Sequence, residues 1–346
     1  MGGSGPGATA MSHHNRVKQI LNRFPQQTIL VVGDLMLDQF IWGKVSRISP
    51  EAPVPVVEVT SESYFPGGAA NVARNLRALG ASVRMLGVTG ADQPAQELRR
   101  LLQQQGINAD GLLVDGSRPT TMKIRVVAHR QQVVRIDRES TMPLSGAVAR
   151  RLLDRFVADL SGVDAVIFED YAKGVLSQER LDTMQRLARQ RHKITAADPN
   201  ARHPLRFSGL TAITPNRMEA FAAAQMPYAE PIDDVLQDKP LLRVGQTLLK
   251  QWKPRNLLIT LGEHGMCLFR PGEKPHHIPT VAQEVFDVSG AGDTAIATLA
   301  LALTAGANAI EAAEISNHAS GVVVGKIGTA TCSPDELVDS FTRNGR

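Results

Sequence analysis

Short apolar runs rich in Val, Ile and Leu alternate along this chain with helix-period segments, and that alternation constrains the fold more than any other feature. TILVVGD reads as a buried strand ending in an acid, NVARNLRALG as a helix stopping at Gly80, SVRMLGVTG as a second strand and QPAQELRRLLQQQG as a helix closed by Gly106. The rhythm resumes with DAVIFEDY, SQERLDTMQRLARQ, KITAADPN, LTAITPN and NLLITLG. Apolar strands separated by helices predict an α/β fold, a mostly parallel sheet with helices on both faces. The Ala-rich stretches AIATLALALTAGA and AIEAAEISNHASGVVVGKIG predict helices in the C-terminal third, with no linker that marks a second catalytic domain.

Two stretches break the rhythm. Residues 43–64, with the run SPEAPVPVVEV, and 120–138, within TTMKIRVVAHRQQVVRIDRE, read as extended strands with no helix between them. They predict a small antiparallel β lid over one edge of the α/β body, so that 16–346 forms one domain with an appendage. The Gly-rich MGGSGPGAT reads as a flexible leader; residues 1–15, with His13 and His14, are set outside the fold.

Composition removes several classes. A chain of 346 residues with 43% hydrophobic and 21% charged side chains is an ordinary globular one, neither disordered nor collagen-like. The net charge of +4 is spread without a Lys/Arg block and aromatics are only 4%, so no nucleic-acid partner is expected. No apolar run reaches the length of a membrane span, and no membrane partner is expected. Cys267 and Cys332 are too few and too far apart for a disulfide framework or a zinc site, which fits a reducing cytoplasm.

In open α/β sheets ligands collect beyond the carboxyl ends of the strands. The apolar runs end there in Asp34, Asp170, Asp198, Asn216, Thr260 with Gly262, and Asp293. Each alone reads as a cap or turn residue; the series along one edge points to a site. In FDVSGAGDTAIATLALAL a strand is expected to break at Gly290-Ala291-Gly292 and a long apolar helix to follow, so small residues expose backbone N–H groups at a helix N-terminus, an anion hole. Asp293 stands there either as an N-cap or as a base that takes a hydroxyl proton while the amides stabilise a transferring phosphoryl group. No GK[ST] follows and there is no GxGxxG, which leaves phosphoryl transfer without a P-loop. In PGGAANVARNLRALG, Gly67 and Gly68 permit close backbone approach and Asn71 opens a helix with an amide that can grip a hydroxylated ligand.

PGGAANVARNLRALGA together with DVSGAGDTAIATL resembles the two signatures of the ribokinase-like (pfkB-type) carbohydrate kinases, and the resemblance runs from about Ile29 to about Phe341. VSRISPEAPVPVVEV and QQVVRIDRE resemble more narrowly the D-glycero-β-D-manno-heptose-7-phosphate kinases that supply heptose for lipopolysaccharide core. The resemblance implies a ribokinase-like fold, ATP and Mg²⁺ as cofactors, a sugar phosphate as substrate and a homodimer formed through the lid. It sets Asp34 and Asp38 with Gly67, Gly68 and Asn71 in the sugar pocket, and Lys173 of DYAKG near the phosphates. It brings Asp198 and Glu219 to the metal, Asn216, Thr260, Gly262 and Gly265 to the nucleotide phosphates, and Asn317 of NHASG to the adenine side. Relatives that carry a lysine after the Asp-Pro pair are matched here by Asn200.

A sugar 7-phosphate calls for cations. Lys123 and Arg125 share one strand face and are expected at the end of the pocket away from Asp293, with Arg130, Arg135 and Arg138 in the same segment; the alternative is that these are solvated edge charges. The implied reaction is phosphorylation of the anomeric hydroxyl of heptose 7-phosphate. With no HxGH-type motif in the chain, the kinase step is expected alone. The rivals are a kinase of another sugar such as fructose 1-phosphate or ribose, a Rossmann dehydrogenase, which needs GxGxxG where this chain has GDLMLD, and a sugar-binding regulator without turnover.

Overall fold

A computed structural model describes residues 15–343 apart from 130, 283, 284 and 327, so Arg130 and most of the leader lie outside the described residues. The body is a nine-stranded sheet. Its strands are β1 (Thr28–Gly33), β4 (Ser82–Thr89), β5 (Leu112–Val114), β8 (Ala165–Glu169), β9 (Ile194–Asp198), β10 (Ala212–Ile213), β11 (Asn256–Thr260), β12 (Met266–Phe269) and β13 (His276–Ile278). Their order is β13-β12-β11-β10-β9-β8-β1-β4-β5. All pairs are parallel except β11–β12 and β12–β13. The expected mostly parallel sheet is therefore present, closed at one edge by two antiparallel strands.

Strand alternation divides the core. Ile29, Val31 and Ile167 face one apolar cluster, completed by Val72 and Leu76 of α2 (Ala69–Ala78), Leu98 of α3 (Gln93–Gln104), Ile296 and Leu299 of α8 (Ala291–Thr304) and Ile315 of α9 (Ala309–Val324). A helix α1 over 15–21 and α10 (Pro334–Arg343) add Val17 and Leu337 to it. Leu30, Val32, Val166 and Phe168 face the other cluster, under α4 (Gly146–Leu160), α5 (Gln178–Gln190), α6 (Arg217–Ala223) and α7 (Lys239–Trp252). Apolar on every side, α8 is buried from Asp293 to Ala302, as such a sequence must be. Residues 285–290 form no strand, contrary to expectation; they run as a loop pinned by the Phe286 N–H to the Val324 carbonyl at 2.8 Å.

The lid is a separate four-stranded sheet of order β3-β2-β6-β7, built from β2 (Leu35–Ile48), β3 (Pro55–Gly68), β6 (Thr121–Ala128) and β7 (Gln131–Arg138). The outer pairs β2–β3 and β6–β7 are antiparallel and the central β2–β6 pair is parallel. The lid strands are longer than expected: β2 starts at Leu35, directly after β1, and β3 runs into α2 at Gly68. Asp38 on β2 and Gly67 and Gly68 on β3 thereby stand where the lid joins the body.

Candidate active site

The carboxyl ends of β1, β8, β9 and β11 converge on the N-terminus of α8, and the lid stands over one side of that edge. Asp293, in the first turn of α8, is buried, and two side chains grip its carboxylate. Asn71 Nδ2 donates to Oδ2 at 2.6 Å and Tyr171 Oη donates to Oδ1 at 2.6 Å. Burial pushes this carboxyl up to about 6, and the two donors hold it back from rising further. Arg74, one helical turn after Asn71, donates to Asn71 Oδ1 at 3.1 Å and to the Thr329 carbonyl at 3.2 Å, which fixes the amide so that its NH2 faces Asp293. Gly290 caps α8 with φ +81°, and a Cβ there would lie 2.7 Å from Asn71 Nδ2, so only glycine allows the contact with Asp293 to form.

The anion hole is narrower than the sequence suggests. The Ala291 N–H is spent on the Val288 carbonyl at 3.2 Å, whereas the Gly290 and Gly292 N–H groups have no backbone acceptor among the described residues. Gly290, Gly292 and Asp293 line a cleft of about 200 Å³ with Asp198, Asn200, Thr214, Asn216, Glu219 and Thr260. Asn216 and Glu219 form a capping box at the start of α6: Asn216 Oδ1 accepts from the Glu219 N–H and Glu219 Oε2 from the Asn216 N–H, both at 2.9 Å. Asp198 Oδ1 accepts from Thr214 Oγ1 at 3.2 Å. Burial, then the neighbouring Glu219 and Asp293, hold the Asp198 carboxyl well above its ordinary value.

A second cavity of about 520 Å³ continues from this cleft along α8, sharing Thr260 and Gly292 with it. Gly262, Gly265, Ala291, Asn317 and Gly321 line it, along with Val285, Val288 and Val324. The Asn317 amide donates to the Pro279 carbonyl at 2.8 Å. A narrow polar cleft opening into a larger, mainly apolar cavity has the form of a nucleotide site, phosphates in the first and base in the second.

On the lid side, Asp38 Oδ1 pairs with Arg125 at 2.5 Å, and the Arg125 guanidinium lies over the Phe40 ring, 5.2 Å from its centroid. A Cβ at Gly67 would fall 2.2 Å from Asp38 Oδ2, so glycine there makes room for the carboxylate. The Lys123 ammonium lies 6.0 Å from the centroid of the Tyr171 ring. The Tyr171 hydroxyl binds Asp293, and the Lys123 charge lowers the Asp293 carboxyl. Burial in turn lowers the Lys123 ammonium itself, and no acid lies within ion-pair distance of it among the described residues.

Several expected residues stand elsewhere. Asp34 is buried with both oxygens occupied by the backbone N–H groups of Tyr171, Lys173 and Val175 at 2.9, 3.0 and 3.1 Å, so it builds the 171–175 loop and presents no free oxygen to a sugar. The Lys173 ammonium pairs with Glu139 at 2.7 Å and does not line the phosphate cleft. Arg138 is paired in register with Met122, on the face opposite Lys123 and Arg125, and its charge acts on Asp92. Gly68 caps α2 through its backbone alone. Sequence reasoning missed Tyr171, Arg74 and Glu169. The spacing of Arg74 three residues after Asn71 was a visible signal; nothing local marks Tyr171 as the partner of an acid 122 residues away.

The region 26–336 matches the pfkB family of carbohydrate kinases. The chain belongs to that family. This pfkB kinase is 44% identical over 324 residues to the protein named bifunctional protein HldE of Pelobacter propionicus, covering 94% of this chain and 65% of that one. It is 44% identical over 312 residues to its namesake in Geobacter sulfurreducens, covering 90% and 62%. The chain thus spans a little under two thirds of these relatives. Among solved structures it resembles phosphofructokinase-2 from Escherichia coli with substrates and products (TM-score 0.73, 18% identity, 92% of this chain and 100% of that one). It also resembles ribokinase of Arabidopsis thaliana complexed with ribose and ATP (TM-score 0.70, 16% identity, 91% and 98%). The α/β body with its small lid sheet is the ribokinase-like fold, and the chain is a carbohydrate kinase of the pfkB family. Membership in this family leaves no place for the dehydrogenase reading. Among the described residues no helix is long and apolar enough to cross a membrane.

Proposed function

We propose that the protein transfers the γ-phosphoryl group of ATP to the anomeric hydroxyl of D-glycero-β-D-manno-heptose 7-phosphate, giving the 1,7-bisphosphate on the route to ADP-heptose and lipopolysaccharide core. The observation that carries the transfer is the position of Asp293. Its carboxylate lines the cleft that takes the phosphates and is held on its other side by Asn71 and Tyr171. Asp293 takes the hydroxyl proton, and with its carboxyl near 6 it is ionised at neutral pH. The Gly290 and Gly292 amides face the transferring phosphoryl group with the α8 N-terminus behind them. Asn71, held by Arg74, and Asp38, held by Arg125, bind sugar hydroxyls.

Lys123, half-buried over the Tyr171 ring and without an ion-pair partner among the described residues, takes the role that the family resemblance gives to Lys173. Lys123 and Arg125 on one face of β6 supply positive charge for a phosphorylated sugar. The oxygen-only set of Asp198, Glu219, Asn216 and Thr214 suits Mg²⁺, with Asp198 and Glu219 as its carboxylates and waters completing the shell. An ion held there would neutralise phosphate charge. The heptose assignment is supported by the Pro-rich β2–β3 segment and by the 44% identity to the HldE proteins. Turnover coupled to ADP detection, across heptose 7-phosphate, heptose, fructose 1-phosphate and ribose, tests it: heptose 7-phosphate is expected to give the highest kcat/KM, and preference for an unphosphorylated sugar would leave the kinase and remove the heptose-phosphate assignment. The lid is taken as the homodimer contact, and the cytoplasm as the compartment.

A further inference from the structure

Gly33, Glu169 and Asp198 end β1, β8 and β9 in register, Gly33 opposite Glu169 and Glu169 opposite Asp198. In-register neighbours on parallel strands project to the same face, here the face covered by α8, because Ile167 and Ala196 two residues earlier pack in the α8-side core. Gly33 adds no side chain, so the space beneath the start of α8 is left to Glu169, Asp198 and the descending Asp293. One oxygen from each of these carboxylates lies within 4.8 Å of the others. Asp198 has Thr214 and Asp293 has Asn71 and Tyr171 as donors. Glu169 is 0% exposed, and neither of its oxygens has a hydrogen-bond partner among the described residues.

A carboxyl group buried without donors, next to two more, is costly to ionise unless a cation joins them. Oxygens that share a hard cation at about 2.1–2.5 Å stand up to about 4–5 Å apart, which is the spacing found here. The donors are all oxygen, which favours Mg²⁺ or Mn²⁺ over metals that prefer nitrogen or sulfur. Asp198 and Asp293 also line the cleft of about 200 Å³, an entry path with room for waters.

We propose that Glu169 and Asp198, beside Asp293, form a resident divalent-cation site that is loaded before nucleotide binds, Asp198 being shared with the ATP-borne ion that Glu219 holds. The inference rests on the kinase reading only in taking this cleft as the phosphate end of the nucleotide site.

Mn²⁺ binding to the nucleotide-free, sugar-free protein, followed by electron paramagnetic resonance, tests it separately from turnover. One Mn²⁺ per chain is expected, displaced by excess Mg²⁺, with a rise in Tm on addition of either ion. Glu169→Gln should weaken Mn²⁺ binding by at least about tenfold, the loss typical for removing a group that supports a metal site. It should also abolish the metal-dependent rise in Tm. Asp198→Asn should weaken binding similarly. Glu219→Gln should leave nucleotide-free binding within about threefold, on the same affinity scale. No Mn²⁺ bound without nucleotide, wild-type affinity in folded Glu169→Gln, or loss in Glu219→Gln equal to that in Glu169→Gln would each overturn the proposal. None of these results bears on whether the protein phosphorylates a sugar.

Discussion

The carboxyl of Asp293 carries two opposed influences: burial raises it to about 6, and donation from Tyr171 and Asn71 restrains the rise. A base works when deprotonated, so at fixed Mg²⁺ kcat/KM should fall as pH drops through about 6 and level off above it. Tyr171→Phe removes one restraining donor and should move this acid limb to higher pH; a profile that stays in place would show that Tyr171 does not act on the base. Asp293→Asn, which cannot accept the proton, should lose about 10²–10⁴-fold in kcat, the usual contribution of a general base, while ATP binding by calorimetry remains near wild type. Turnover close to wild type in the folded variant would remove Asp293 from that role.

At the scale of the element, β6 sorts the lid cations onto two faces. Its alternation puts Lys123 and Arg125 on the pocket face, and its pairing with β7 puts Arg138 opposite Met122 on the other. Lys123→Ala should raise KM for the sugar phosphate by about 10–100-fold, the scale of one charge-assisted hydrogen bond of about 1.5–3 kcal/mol, with KM for ATP little changed. Arg138→Ala should leave both within about twofold, as surface substitutions away from a site do. Equal effects of the two substitutions would contradict the facing of the strand. Arg125 is the less clean probe, because its removal also leaves the buried Asp38 carboxylate without its partner.

At the scale of the molecule, the lid is a four-stranded sheet whose edge strand β7 exposes Val134 and Ile136 by 46% and 50%, apolar surface at an open edge of the kind that marks a contact between chains. If two lids pack together, light scattering at micromolar concentration should give twice the chain mass, and Ile136→Lys, a change at an already exposed position, should give a monomer with its far-UV spectrum intact. A wild-type monomer with full activity would exclude the lid as an obligatory contact.

Local pattern alone determined the parallel body, its helices, the lid segments, the Gly-rich head of α8 and the series of polar strand ends, because hydrophobic period and turn chemistry are properties of neighbouring residues. Facing and partnership were decided by tertiary structure. Asp34 and Asp38 look alike in GDLMLD, yet the first is consumed by three backbone N–H groups and the second turns toward Arg125 in the lid. Lys173 and Lys123 carry the same charge, yet one meets Glu139 and the other is left beside Tyr171. Glu169 reads as the last polar residue of an ordinary strand; register with Gly33 and Asp198, and burial under α8, make it a carboxylate without a donor. Such pairings join residues from 29 to 141 positions apart, so no short window of sequence contains them; they exist only once the strands, the lid and the α8 N-terminus are packed together.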